Sequence, residues 1–271
     1  MFRALPILDA TMGCPLVYTA AFGNAIYYQM AQECVTSARR HGYTGDFFVL
    51  TGRPHAFEVA HCKVVASGPE VLSKAALVRV LGREELAQRE KILFIDADCV
   101  FTVSPDSLLA LEGLRLPIVG ALTKHCYNAI FLTDPEKREA RRRKTAEFNS
   151  GTILIPGAQA FDFLKDWEEA WRGVPRDKVW RDPQWAHYSV LTMDQPALQA
   201  LLFRANIPWS NFPKDTVAFP VYTKSREGAI LHFCGPLNAG MNSHLQNKQV
   251  VLGWMKAANA AFTAPRPSAK P

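Results

Sequence analysis

Asp96 and Asp98, one residue apart, close the stretch Lys91-Ile92-Leu93-Phe94-Ile95-Asp96-Ala97-Asp98. Carboxylates this close repel each other unless a cation joins them, and a divalent metal holding a diphosphate supplies that charge. An Asp-x-Asp after an apolar run also opens many phosphatases, and it can simply end a strand in an Asx-turn or helix cap. Lys74 and Arg79 are placed on the helix that feeds this acidic end. Each is either a ligand-facing cation or ordinary solvated surface.

Several elements must position these groups. Ile92–Ile95 is an unbroken apolar run, the pattern of a strand buried on both faces in the middle of a parallel sheet. In an open α/β sheet, ligands bind beyond the carboxyl ends of the strands, which is where both aspartates fall. Leu16–Ala20 reads as the first strand, and a helix from Asn24 to Gly42 carries Ile26, Met30 and Cys34 on one stripe. Asn24 is its expected N-cap and Gly42 its stop. Phe47–Leu50 completes a βαβ unit, and Lys63–Ala66 adds a third strand. Ser73 is expected to cap a helix that runs or breaks through Gly82 into Glu84–Gln88, and Ser104-Pro105-Asp106 to open another. Pro117–Ala121 and Phe148–Ile155 read as strands, and Ala158–Trp171 as a helix ending at Gly173. The run 136–144 is almost wholly charged: a solvated surface, a mobile basic flap over a phosphorylated ligand, or a dock for an acidic acceptor or lipid headgroup. Residues 174–191 read as an irregular binding loop, Asp194-Gln195-Pro196 as a helix start, and Ile230–Phe233 as a last short strand.

The 271 residues suffice for one large α/β domain, with 48% hydrophobic and 21% charged residues, as in ordinary globular chains. No apolar run reaches the ~20 residues that cross a bilayer. Residues 1–13 lack the apolar core of a secretion signal. The six cysteines show no CxxC pairing, so reduced thiols in a cytoplasmic protein are expected. The net charge of +6 admits an anionic small molecule or peripheral contact with an anionic membrane face. No helix-turn-helix, zinc-finger or RNA-binding signature accompanies it, so nucleic acid is not expected as a partner.

Four pieces, in order, resemble the metal-dependent glycosyltransferases of the GT-A fold. They are Phe94-Ile95-Asp96-Ala97-Asp98, Phe148-Asn149-Ser150-Gly151, Asp194-Gln195, and His232-Phe233-Cys234-Gly235-Pro236. The resemblance spans about residues 15–255 and is closest to the retaining group that includes glycogenin and bacterial lipopolysaccharide galactosyltransferases. It implies a single domain over residues 1–262, with a mostly parallel central sheet flanked by helices; the Pro/Ala/Lys-rich residues 263–271 read as a flexible tail. It implies Mn²⁺ or Mg²⁺ held by Asp96, Asp98 and His232, the imidazole tilting the choice toward Mn²⁺. Asn149 and Ser150 match the segment that contacts the donor sugar, and Thr19, Ala20 and Asn24 fall where the family holds base and ribose. Lys74 or Arg79 matches a basic residue before the metal motif, while Ala97 and Gly235 belong to the motifs that hold the nucleotide. Asp194 and Gln195 match the pair beneath the anomeric carbon.

The implied activity is transfer of a hexose from a nucleotide-sugar, UDP by family expectation, to a glycan, lipid-linked or protein acceptor. Gln195 is neutral and a poor nucleophile, which favours retention by front-face transfer over a covalent glycosyl-enzyme. The chain departs from the family where a closing lysine usually touches the diphosphate, since Asn238-Ala239-Gly240 stands there. Arg226, Lys248 or the basic run are candidates to fill that gap. The acid that often reads the base is replaced by Ala20-Ala21-Phe22. Two rivals follow. A phosphatase of the haloacid-dehalogenase type would need a later acidic cluster, which is absent from the sequence. A sugar-nucleotide-binding or scaffold descendant would keep the fold without turnover.

Overall fold

The computed structural model describes residues 13–52, 62–65, 72–123, 126–173, 194–223, 227–234 and 244–261. The expected loop at 174–191, Gly235, the Asn238-Ala239-Gly240 turn, Arg226 and the 263–271 tail lie outside the described residues.

The chain folds as α/β, with a mixed five-stranded sheet in the order β3-β2-β1-β4-β8. Its strands are β1 (Leu16–Ala21), β2 (Asp46–Thr51), β3 (Cys62–Val65), β4 (Lys91–Ile95) and β8 (Thr152–Pro156). The first four pair in parallel, and β8 joins β4 antiparallel. Strict alternation sorts the side chains. Val17, Val49, Leu93, Ile95 and Leu154 face one core, while Leu16, Phe48, Ile92, Phe94 and Ile153 face the other. Helices cover both faces. The first core is closed by α1 (Ala25–Arg40) and a helix at His244–Ala261, the second by α2 (Leu77–Gln88), α5 (Gly157–Arg172) and α6 (Asp194–Arg204). A single helical turn, α3 (Asp106–Leu109), follows Pro105.

Many boundaries follow the expected chemistry. The Asn24 side chain accepts from Ile26 N at 3.1 Å, and Gly42 ends α1 at φ 87°. Gly82 breaks α2 at φ 71°, ψ −179°. Other expectations need correction. Ser73 does not cap α2, because residues 73–76 form a separate turn and the helix begins at Leu77 after an uncapped Ala76. Lys74 therefore stands in a turn and not on a helix. Most of the charged run lies in helix α4 (Asp134–Arg142). Thr133 and Glu136 form a reciprocal capping box, and Ala140 buries against Leu122, Leu132 and Ala200.

Phe148–Ile155 is two strands. β7 (Ala146–Phe148) pairs with β6 (Ile118–Ala121) in a separate ribbon, and the chain then turns at residues 149–151 into β8. A further strand, β5 (Cys99–Phe101), follows the aspartates at once. It pairs antiparallel with β10 (Ile230–His232), which also takes β9 (Val217–Ala218) in parallel. The last helices are α7 (Pro220–Thr223) and α8 (His244–Ala261). None of the helices described is long and apolar enough to cross a membrane. Cys34, Cys99 and Cys126 are free thiols.

Candidate metal centre

Antiparallel pairing builds the site. Because β8 runs against β4, its entry lies beside the exit of β4, with Thr152 opposite Ile95. Asp96 N then donates to Gly151 O at 2.7 Å, which locks the Asn149-Ser150-Gly151 turn to the acidic motif. The same device works at β10, where His232 pairs with Cys99 and Phe233 N donates to Asp98 O at 2.9 Å. Residues more than a hundred positions apart thus meet at the carboxyl end of β4.

The His232 ring is 1% exposed, and its Nε2 lies 3.2 Å from Asp98 Oδ1 and 3.7 Å from Asp96 Oδ2. Nδ1 is buried without a hydrogen-bond partner, so Nε2 is the nitrogen that engages the carboxylates. A ring nitrogen facing two carboxylate oxygens needs positive charge between them, either a proton or a metal cation. Asp98, Cys99 and His232 form a buried group, with ligand atoms within 4.8 Å of one another, that could hold a metal ion. Burial, reinforced by Asp98 and other nearby groups, pushes the Cys99 thiol well above its ordinary value. Asp96, expected as a ligand, is not part of the Asp98, Cys99 and His232 group.

Cations flank the acids. Lys74 Nζ lies 3.0 Å from Asp96 Oδ1 and 2.8 Å from Asp194 Oδ2, and donates to Ser150 O at 3.3 Å. Its carbonyl is fixed by Tyr18 OH at 2.6 Å. On the far side, Lys248 Nζ of α8 reaches Asp98 Oδ2 at 2.9 Å. Burial opposes the charge on Lys74, but Asp194 and Asp96 prevail and hold the ammonium well above its ordinary value. Burial likewise opposes the charge on Asp98, yet Lys248 and His232 hold its carboxyl well below the usual range. At Asp96 burial wins over Lys74, and the value rises. Asp96 is also the more open of the two, with its side chain 26% exposed against 10% for Asp98.

Asp194 opens α6, as expected from the sequence. Its carbonyl accepts from Trp167 Nε1 at 2.8 Å, and its carboxylate accepts from Ser150 Oγ at 3.0 Å. Gln195 is tied at both ends: Oε1 accepts from Ser150 N at 2.9 Å, and Nε2 donates to Asn128 Oδ1 at 2.6 Å. Asn149 closes its own turn by accepting from Gly151 N at 2.8 Å. No side chain fits at Gly151, where a Cβ would overlap the His232 ring and lie 2.5 Å from Asp96 Oδ2.

Of the two basic candidates, Lys74 enters the site. Arg79 does not: it pairs with Glu168 on α5 at 2.7 Å, and its side chain is 49% exposed. Thr19 is fully buried with its hydroxyl unpartnered, Ala20 is half-buried, Ala97 is buried, and Asn24 is exposed while capping α1. Sequence reasoning passed over Asn128, which links Gln195 to Phe148 O at 2.7 Å and Gln199 at 3.2 Å. A lone asparagine in a short turn carries no pattern that would flag it. No family model matches the chain, and no curated protein matches it either.

Proposed function

We propose that the chain is a metal-dependent GT-A glycosyltransferase that moves a hexose from a nucleotide-sugar, with UDP as the leaving group, to an acceptor with retention. One observation carries this reading. Asp96, Asp98, His232, Lys74, Ser150, Asp194 and Gln195, from five separate stretches of chain, converge beyond the carboxyl end of β4. All but Lys74, one of the two basic candidates, belong to the four motifs.

Asp96, Asp98 and His232 would hold Mn²⁺ or Mg²⁺, which when bound would neutralise charge on the departing diphosphate. Lys74 brings a second positive charge to the same edge. The Asp194 carboxylate, 10% exposed, is placed to stabilise an oxocarbenium-like centre electrostatically. Gln195 orients rather than attacks, since both ends of its amide are already bonded. That arrangement favours front-face transfer, in which the leaving phosphate takes the acceptor's proton. Cys99 beside Asp98 and His232 gives a specific reason to include zinc as a second metal in any test.

The test is a thermal-shift panel of nucleoside diphosphates with and without Mn²⁺, Mg²⁺ or Zn²⁺. Stabilisation by UDP that requires Mn²⁺ and disappears in Asp98→Asn supports the reading. An Asp98→Asn protein with the wild-type metal-dependent shift removes that residue from the site. A binding protein without catalysis would show the shift but no Mn²⁺-dependent hydrolysis of UDP-sugars.

A further inference from the structure

Asp98 is engaged on both oxygens. Oδ1 faces the His232 ring at 3.2 Å, and Oδ2 accepts from Lys248 at 2.9 Å. Lys248 stands 150 residues further along the chain, and its side chain is only 11% exposed. Its ammonium also lies 6.0 Å from the centre of the Tyr27 ring on α1, a second attraction for a cation. Across the site, Lys74 serves Asp96 and Asp194. The three carboxylates therefore meet two ammonium groups and an imidazole. A site with its own counterions in place is stable empty, but a dication reaching Asp98 must contend with an ammonium already there.

We propose that Lys248 is a resident counter-cation that holds Asp98 in the empty site, yields it to the divalent metal, and then turns to the anionic diphosphate. The inference rests on the metal-dependent reading above and deepens it by explaining how metal and nucleotide come to depend on each other. An ammonium and a dication on one buried carboxylate repel strongly at low effective dielectric. A metal alone would make the site net positive, and a diphosphate relieves that charge. Lysine, a point charge on a flexible four-carbon stem, can follow the anion without moving α8. The metal alone therefore binds weakly, and the metal with a nucleoside diphosphate binds tightly.

The test is titration of the full chain with Mn²⁺, followed by the paramagnetic resonance of the free ion, with and without UDP. Lys248→Met should bind Mn²⁺ alone at least about tenfold more tightly than the wild type, since one competing charge is gone. The same variant should lose most of the gain in Mn²⁺ affinity that UDP gives the wild type. Lys248→Arg, which keeps the charge, should stay close to wild type for Mn²⁺ alone. Lys248→Gln keeps a donor for Asp98 and stands in if the methionine variant does not fold, with circular dichroism reporting the fold. A folded neutral variant that binds Mn²⁺ alone no better than wild type overturns the role of Lys248 and leaves the metal-dependent reading standing. No Mn²⁺ uptake by wild type, with or without UDP, overturns both.

Discussion

Gly151→Ala is the sharpest single perturbation of this site, because it adds one methyl group and changes no charge. The new Cβ would overlap the His232 ring, lie 2.5 Å from Asp96 Oδ2 and lie 2.9 Å from Asn149 Oδ1. Ordinary carbon–oxygen contact begins near 3.5 Å, so the Asp96 carboxylate alone must retreat by about 1 Å. The imidazole cannot easily yield, since His232 is paired to Cys99 across β10 and β5 and its neighbour Phe233 donates to Asp98 O at 2.9 Å. Overpacking of this kind costs roughly 1–3 kcal/mol. A displacement of ~1 Å in a reacting geometry costs on the order of 100-fold in rate. Urea denaturation should show the loss of stability, and calorimetry with Mn²⁺ and UDP should show weakened binding. Gly253→Ala is the matched control: no atom lies within 4 Å of its added Cβ, and it sits within α8, so it should stabilise by about 0.5–1 kcal/mol. If Gly151→Ala keeps both wild-type stability and wild-type binding, the close convergence of His232, Asp96 and Asn149 described above is wrong.

Trp167→Phe removes the bond from Nε1 to the Asp194 carbonyl at 2.8 Å inside a fully buried ring site, so stability should fall by roughly 2–4 kcal/mol. An unchanged urea midpoint would show that this indole does not anchor the start of α6. Glu136 accepts from Arg204 at 2.7 Å, and that bond, aided by the Thr133 backbone, lowers its carboxyl from 4.5 to about 2. A depressed folded value means stability that is complete above pH 4.5 and lost as pH falls toward 2. Because Arg204 is half exposed, solvent screening leaves about 1 kcal/mol of this. Glu136→Gln should flatten that part of the acid limb, and parallel acid limbs for variant and wild type would refute it.

The central strand and the first helix were legible because their signals are local. Ile92–Ile95 is an unbroken apolar run, and Asn24 and Gly42 bracket a periodic stripe. Helix α4 was obscured because only Ala140 on it is buried, so apolar periodicity had nothing to report; its start was written in Thr133, Pro135 and Glu136. Strand β5 is three residues long and follows Asp98 with no turn signal between. The break at residues 149–151 comes from the Asn149 turn, which delivers one half of the apolar run to the β6 ribbon and the other to the main sheet. In the site, Asp96, Asp98, His232, Ser150, Asp194 and Gln195 sit in recognisable short patterns. Lys248 does not. It was one of three candidates to fill a charge gap, and only its approach to Asp98 across 150 residues distinguishes it. Arg79 and Lys74 looked equivalent until the turn at 73–76 aimed one inward and left the other for Glu168.

The antiparallel joints at β4–β8 and β5–β10 have a consequence for the whole domain. Asp96 rides the first joint and His232 the second, so whatever clamps a carboxylate to the imidazole rivets two sheets together. Unzipping either ladder then requires the rivet to come out first. Amide protons deep in β4 and β8, far from solvent, should therefore exchange more slowly in proportion to ligand occupancy, as linkage between binding and opening demands.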